Sequence, residues 1–239
     1  MNRDEKRTRV AALRPSVEKA GGRQVVYPRE PSGGTWISLN DSGVSYALVN
    51  WYSKPSAAVS PVQSRGDVVR RLQSLTKPEG ARIATSEFDL THLNPFRVIG
   101  IFPELSVILE WQWDGKSSTE VRHAWSPRQW ISSGWDEPGA QRSRADVFER
   151  RSQHVDADPI QWVRKLHGSH EDGPGPYSTC MHREDAATVS YCEIEVDGAR
   201  GEMRYSAGPL CESHGWHLEP LMIRTMSAEP FSSLTTDIP

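Results

Sequence analysis

A run of polar residues opens the sequence, and its side chains are the first candidates for chemistry. Asn2, Arg3, Asp4 and Glu5 place an amide, a guanidinium and two carboxylates in consecutive positions. Such groups are costly to bury without hydrogen-bond or charge partners, so a charged run at a chain end is normally a solvated, frayed segment. The alternative, an ordered polar site, depends on the motifs that follow.

A predicted hairpin supplies the next candidate. Residues 35–39 and 44–51 are rich in β-forming residues, and residues 40–43, Asn-Asp-Ser-Gly, have strong turn chemistry. Because side chains alternate along a strand, Asn50 shares one face with the apolar residues of its segment. Asn50 therefore ends an apolar row, where its amide could serve a binding or catalytic site.

Histidines and a cysteine near the end of the chain suggest a metal site only weakly. Cys211, His214 and His217 have a Cys-x2-His-x2-His spacing, and His167 and His170 could add ligands. A structural zinc site normally shows two clean ligand pairs, and the first pair is missing here. The pattern favours solvent-facing loop histidines, so we predict no metal site.

Cys180 and His182 are two residues apart on a predicted strand and therefore face the same side. This arrangement would allow a cysteine–histidine dyad. A thiol on a strand is more often an inert, small apolar residue, and we favour that interpretation.

Arginine and tryptophan side chains are candidates for substrate binding. Arg65, at the start of a predicted helix, could hold a carboxylate or simply fasten a loop at the surface. Trp130 and Trp135 flank the small residues 132–134 and are the aromatics most suited to line a pocket. The core of a β-sandwich accounts for the tryptophans at strand-like alternations, which are Trp36, Trp51, Trp111, Trp113 and Trp125.

Bulk properties exclude several classes of protein. The 239 residues carry a net charge of -3 with both signs interspersed, which gives no nucleic-acid footprint and no polybasic membrane patch. There is no apolar run of membrane-spanning length and no secretory signal. The three cysteines fit a reducing compartment. We predict a cytoplasmic protein with one domain at 1–225 and a flexible tail at 226–239.

The order of predicted elements indicates the fold class. Strands are predicted at 25–27, where Pro28 would end the strand, and at 96–102, 107–113, 121–125, 178–182, 188–196 and 201–206. Helices are predicted from Ser64 to a stop at Lys77-Pro78, over 143–153, and from Asp158-Pro159 to Gly168. Two antiparallel strand groups with helices between them predict an α+β fold whose helices cover the sheets.

Several motifs occur in a fixed order along the chain. The quartet 2–5 is followed by Gly21-Gly22-Arg23, Gly33-Gly34-Thr35-Trp36 and Ser64-Arg65-Gly66, and the run Thr179–Asp185 lies near the far end. This ordered set resembles the NRDE family, which is named for the quartet and includes the transport and Golgi organisation protein two group.

The resemblance implies a branch of the N-terminal nucleophile hydrolases, with a four-layer α-β-β-α sandwich of mainly antiparallel sheets. In that superfamily a first-residue Cys, Ser or Thr attacks a carbonyl and its own α-amine is the base. In the cysteine branch, Asn2 and Asp4 match an Asn-x-Asp element near the amine, and Asn50 matches the oxyanion-hole asparagine. Substrate binding is predicted for Arg3, Trp36, Arg65, Trp130, His182 and Arg183. No cofactor is predicted.

The sequence departs from the family pattern at the nucleophile. Family members usually open with Met-Cys and a β-strand before the quartet, whereas Asn2 follows Met1 here. We expect an upstream extension of about 12–20 residues that carries the cysteine and the first strand, and we expect the chain without it to be inactive. A variant that has lost its catalytic strand is the alternative.

Two functions of different classes follow. The first is hydrolysis of a non-peptide amide bond in a small acylated amine by the full-length form. The second is a non-catalytic binding or carrier protein for haem or a small apolar ligand. In both cases the partner is a small molecule, and a sheet edge without its neighbouring strand would favour pairing with a second copy in a homo-oligomer.

Overall fold

The computed structural model describes residues 1–153, 158–171, 173–212 and 214–224. The predicted tail at 226–239 lies outside these residues. No helix among the described residues is both long and apolar enough to cross a membrane.

Two antiparallel sheets form the centre of the fold. The larger sheet has seven strands that lie in chain order: β2 (Leu13–Ala20), β3 (Arg23–Arg29), β4 (Ile37–Asn40), β5 (Ser45–Asn50), β6 (Phe96–Phe102), β7 (Val107–Trp113) and β8 (Ser118–His123). The smaller sheet has four strands in the order β1 (Asn2–Lys6), β9 (Ala186–Asp197), β10 (Arg200–Ser206) and β11 (Trp216–Met222). The quartet therefore lies on a strand at one edge of the smaller sheet.

Helices cover the outer face of each sheet. The pair α1 (Gly66–Leu72) and α2 (Pro78–Ser86) packs on the larger sheet, against β5 and β7. The pair α3 (Glu137–Ser152) and α4 (Pro159–His167) covers the smaller sheet, to which Arg164 of α4 is joined by an ion pair with Glu193. The layers are thus α-β-β-α, and the predicted fold class is confirmed.

Alternation along the strands fills two main cores. Tyr46, Val98 and Trp111 pack with Val69 and Leu72 between the larger sheet and its helices. The second core lies between the two sheets, and its buried members are Val26, Trp36, Ile37, Leu39, Cys192, Met203, Tyr205 and Leu221. Trp36, which directly precedes β4, thus reaches the space between the sheets, in agreement with its predicted core position.

Two predictions based on proline are wrong, for different reasons. Strand β3 continues through Pro28 to Arg29, because its pairing with β2 is already irregular there, between Leu13 and Ser16. A proline without an N–H can be accommodated where the ladder is interrupted. Pro78 begins α2 rather than ending α1, because its fixed φ and missing N–H suit the first turn of a helix.

Three other details also differ from the sequence prediction. Strands β2 and β11 were not predicted, since their alternation is weak. Residues 178–182 do not form a regular strand, and only an isolated bridge pairs His182 with Ala187. Trp125 is not a core residue: it lies beyond the end of β8 and is 49% exposed.

Candidate functional site

Strand β1 divides the quartet between two environments. The side chains of Arg3 and Glu5 meet Glu30 and Trp36 of the larger-sheet region. The side chains of Asn2 and Asp4 instead meet the helical layer and the segment that leads into β9; their partners are His167, Thr179, Arg144 and Thr188. The quartet is therefore an ordered strand and not a frayed end.

Arg3 is the most buried charge of the quartet, with 6% of its side chain exposed. Its guanidinium lies 4.6 Å from the centre of the Trp36 ring, forms an ion pair with Glu30, and is 3.3 Å from Glu5. Arg9 bridges the same two glutamates at 3.3 and 3.4 Å. Burial raises the pKa of Glu5, although Arg3 and Arg9 oppose the shift. The two positive and two negative charges therefore neutralise one another beside the face of the Trp36 ring.

A second group forms where β5 ends. The Asn50 side-chain amide donates to the Tyr52 hydroxyl at 2.9 Å, and the Arg65 guanidinium lies 5.7 Å from the Tyr52 ring centre. Arg65 also donates to the Pro95 carbonyl at 3.1 Å. Burial lowers the pKa of Arg65, and the charge of Glu5 is among the influences that oppose this shift. Glu5 therefore connects the two groups electrostatically.

The backbone explains why the two groups are close. The N–H of Thr35 donates to the carbonyl of Gly66 at 3.4 Å, so the loop before β4 lies against the start of α1. A Cβ at Gly66 would come within 2.8 Å of the Thr35 nitrogen, and only glycine allows this approach. We name the set Arg3, Glu5, Glu30, Trp36, Asn50, Tyr52 and Arg65 the motif cluster.

On the other side of β1, Asn2 and Asp4 anchor the strand through hydrogen bonds and an ion pair. The Asn2 amide nitrogen donates to the carbonyls of His167 at 3.0 Å and Thr179 at 2.7 Å, so both of its N–H groups are engaged. Asp4 accepts from the Thr188 hydroxyl at 2.7 Å and lies 3.6 Å from Arg144. Burial raises the pKa of Asp4, while Arg144 and Thr188 oppose the rise.

The remaining predicted binding residues have other neighbours. Arg183 pairs with Asp185 at 2.7 Å and lies 4.8 Å from the Trp135 ring centre. Trp130 packs edge-on against His123 at a centroid distance of 5.5 Å. His182 lies beside Cys180 and Cys211. In the described part of the chain, no contact joins these three residues to the motif cluster.

The buried thiols are poorly suited to nucleophilic chemistry. Cys180 Sγ lies 3.6 Å from His182 Nε2, so the predicted same-side placement is confirmed. Burial, followed by the hydrogen bond to Cys211, raises the pKa of Cys180 to about 12. Burial likewise raises the pKa of Cys192 to about 12. A protonated thiol is a weak nucleophile, which argues against a catalytic Cys180–His182 dyad.

Sequence reasoning missed several partners of the predicted residues. Glu30, Tyr52 and Arg144 complete the contacts of Arg3, Asn50 and Asp4. The signal available in the sequence was the charge alternation of β1, which requires opposite charges on both of its sides. Nothing local indicates which distant residues supply those charges.

Comparisons with known proteins show which solved structures share this fold. No family model matches the chain, and no curated protein is similar to it in sequence. Among solved structures, penicillin V acylase from Agrobacterium tumefaciens matches with a TM-score of 0.51 at 10% identity, over 90% of this chain and 80% of that one. The fold is N-terminal nucleophile hydrolase-like. Two variants of conjugated bile acid hydrolase from Clostridium perfringens also match, at 9% and 8% identity and TM-scores of 0.41 and 0.43, over 93% and 95% of this chain and 90% and 94% of theirs.

Proposed function

We propose that this protein belongs to the NRDE group of N-terminal nucleophile hydrolases and hydrolyses a non-peptide amide bond in a small acylated amine. The observation that carries the proposal is the convergence of its motifs. Arg3 of the quartet stacks on Trp36, and Thr35 contacts Gly66, which follows Arg65. Three motifs that are distant in sequence thus meet at one place on an acylase-like fold.

The motif cluster offers groups that suit an acylated amine. Arg65 pairs with a backbone carbonyl and an aromatic ring, so its charge is less fully balanced than that of Arg3 and could bind a substrate carboxylate. The Asn50 amide would donate to the oxygen on which negative charge develops, once it is released from Tyr52. Trp36 would contribute an apolar wall.

The NRDE resemblance implies a first-residue cysteine as the nucleophile, whose α-amine would be the base that takes up the proton of the thiol. Asn2 and Asp4 then hold β1 in position, because both Asn2 N–H groups and the Asp4 carboxylate bond to neighbouring segments.

A binding protein without catalysis is the second candidate, and one observation favours it. The motif cluster contains no cysteine, and the Thr35 and Ser64 hydroxyls beside it are bonded to backbone groups. The thiol of Cys192, which contacts Trp36 of the cluster, is buried in the core between the sheets and has a raised pKa. The same cluster could therefore hold a small apolar ligand with an anionic group, haem among them, without cleaving it.

The test uses protein purified from its native source, with its N-terminal residue read by mass spectrometry. It is incubated with penicillin V and with a conjugated bile acid, the compounds after which the similar structures are named, and release of a primary amine is measured. Arg65→Gln should raise KM about 10- to 100-fold, the loss of one charge-assisted hydrogen bond. Arg122→Gln, an exposed arginine on β8, should leave KM unchanged.

No amine release, together with saturable quenching of tryptophan fluorescence by the same compounds, would favour the binding protein. Loss of that quenching in Arg65→Gln would place the ligand in the motif cluster. If the compounds cause neither amine release nor fluorescence quenching, both candidate functions are contradicted.

A further inference from the structure

Four potential metal ligands from three separate segments meet beside the smaller sheet. His170 follows α4, Cys180 and His182 precede β9, and Cys211 lies in the connection between β10 and β11. One ligand atom from each of the four lies within 4.8 Å of the others. The group is distinct from the motif cluster and has no role in the proposed amide hydrolysis.

The distances match those that a single tetrahedral ion requires. Cys180 Sγ lies 3.4 Å from Cys211 Sγ and 3.6 Å from His182 Nε2, and Cys211 Sγ lies 3.3 Å from His182 Nε2. Zinc bonds of ~2.3 Å to sulfur and ~2.0–2.1 Å to nitrogen place tetrahedral donor atoms ~3.3–3.8 Å apart. Three of the four donors already have this spacing, and the longer separations involve His170.

The protein backbone holds these segments in place. The Cys180 N–H donates to the Ser169 carbonyl at 3.2 Å, which fixes the position next to His170. The Thr188 N–H donates to the Met181 carbonyl at 2.9 Å, which fixes the segment between Cys180 and His182 against β9. The segments of His170, Cys180 and His182 are therefore preorganised by backbone contacts.

One buried atom of the group lacks a partner. His170 Nε2 is inaccessible to solvent and makes no hydrogen bond within the described residues. A buried imidazole nitrogen without a partner is unfavourable, and a metal ion would satisfy it. Cys211, in contrast, is exposed, which gives an ion a route to the group.

We propose that His170, Cys180, His182 and Cys211 bind one zinc ion in a closed structural site. Two thiolates and two imidazoles are a donor set that selects zinc, and four protein ligands leave no open position for a substrate. The ion fastens the connection between β10 and β11 and the segment after α4 to the start of β9. This inference departs from the sequence prediction of no metal site.

The sequence pattern of Cys211, His214 and His217 points to the wrong partners. His214 contacts Glu212 at 3.2 Å, and His217 contacts Glu219 at 2.9 Å and the Pro15 carbonyl at 3.0 Å. Of those three residues, only Cys211 belongs to the four-residue group. The nearby His214 therefore serves as a matched control for the site.

A disulfide is the competing use of the two cysteines. Their sulfur atoms are 3.4 Å apart, well beyond the ~2.05 Å of an S–S bond, and both are free. Oxidation would join Cys180 to Cys211, remove two protons and two electrons to an external oxidant, and abolish both thiolate ligands. The two states exclude each other, so one experiment can separate them.

The experiment measures metal content and cobalt absorption in the full chain, purified under reducing conditions. We expect about one zinc per chain by elemental mass spectrometry. Replacement by Co²⁺ should give the intense visible bands of a tetrahedral ion and a near-ultraviolet thiolate-to-cobalt band. Cys211→Ser and His170→Gln should weaken Co²⁺ binding more than ~100-fold, since changes of outer-shell partners alone cost ~10–100-fold. His214→Gln should bind as the wild type does.

Circular dichroism of Cys211→Ser shows whether a loss of binding reflects unfolding; the exposed position of Cys211 predicts a native spectrum. Chelation should lower the melting temperature of the wild type and leave that of folded Cys211→Ser unchanged. Substoichiometric zinc together with a cobalt spectrum that lacks the thiolate band would overturn the proposal. So would equal affinity in Cys211→Ser, or a Cys180–Cys211 disulfide in protein that fails to bind metal after reduction.

Discussion

The side chains of residues 2–5 have different surroundings on the two faces of β1. On the side of the larger sheet, Arg3 and Glu5 enter a network of four charges beside Trp36. On the helical side, Asn2 and Asp4 bind backbone carbonyls, a hydroxyl and one arginine. A motif that looks uniform in sequence thus combines a charged network beside a tryptophan with hydrogen bonds that anchor the strand. The difference implies that changes on the two sides should separate function from stability.

Removal of the buried Arg3 charge should give the largest effect. Arg3→Met leaves Glu30 and Glu5 without their most buried cation, and breaking such a pair from one side costs ~3–5 kcal/mol. Urea denaturation should show this decrease in the free energy of unfolding. Arg9→Gln is the matched control, because Arg9 touches the same two glutamates but is 50% exposed. Its cost should stay below ~1 kcal/mol, and equal losses in both variants would contradict the burial argument.

Asn2→Ala should give the next largest effect, on the helical side. The variant loses the hydrogen bonds to His167 and Thr179, each with a net contribution of ~0.5–1.5 kcal/mol, for a total of ~1–3 kcal/mol. If Asn2 has only this structural role, ligand binding by the folded variant should be unchanged when measured by equilibrium dialysis. A folded Asn2→Ala protein with lost binding would show that the two sides are not separate.

The pH dependence of stability should reveal the titration of His167, which is buried on the same side of β1 as Asn2. Burial is the main cause that holds its pKa well below the usual range, and the charge of Arg144 adds to the effect. The folded state therefore keeps His167 neutral, whereas the unfolded chain takes up a proton near pH ~6.5. Stability is fully present above that pH and is lost as the pH falls below it, by up to ~1.4 kcal/mol per pH unit.

His167→Phe should flatten this acid dependence, because phenylalanine fills the place beside Tyr191 without titrating. The half-buried His92, which contacts the Val59 carbonyl, provides the control, and His92→Gln should retain the slope of the wild type. Free energies of unfolding from pH 5 to 8 decide the matter. Parallel curves for wild type and His167→Phe would mean that another group controls the acid response.

The sequence reveals periodic features of this protein and hides long-range ones. Strand β6 was predicted at its bounds, because a short run rich in β-branched and aromatic residues favours a strand over a helix. The contact of Cys180 with His182 is local, since the two residues are two positions apart in the chain. The approach of Cys211, which is far along the chain, depends on how β9, β10 and β11 pair. No local pattern records that pairing, so the spacing of Cys211 and His214 could not indicate that Cys211 lies beside Cys180.

Asp4→Asn should have the smallest effect on stability and is the most informative about function. Burial raises the pKa of Asp4, so its ionised form is disfavoured in the folded protein despite Arg144. The stability contribution of Asp4 is therefore present below the unfolded pKa and is lost as the pH rises through the folded pKa. Asparagine keeps an oxygen that can accept from Thr188 and carries no charge. We expect a change within ~1 kcal/mol, because Arg144 keeps its contacts with the Tyr177 and Ser132 carbonyls. The variant should gain on the wild type as the pH rises above the unfolded pKa of ~3.9. Amide hydrolysis that disappears in this stable variant would show that Asp4 takes part in catalysis, whereas unchanged hydrolysis would assign the aspartate of the quartet to fastening alone.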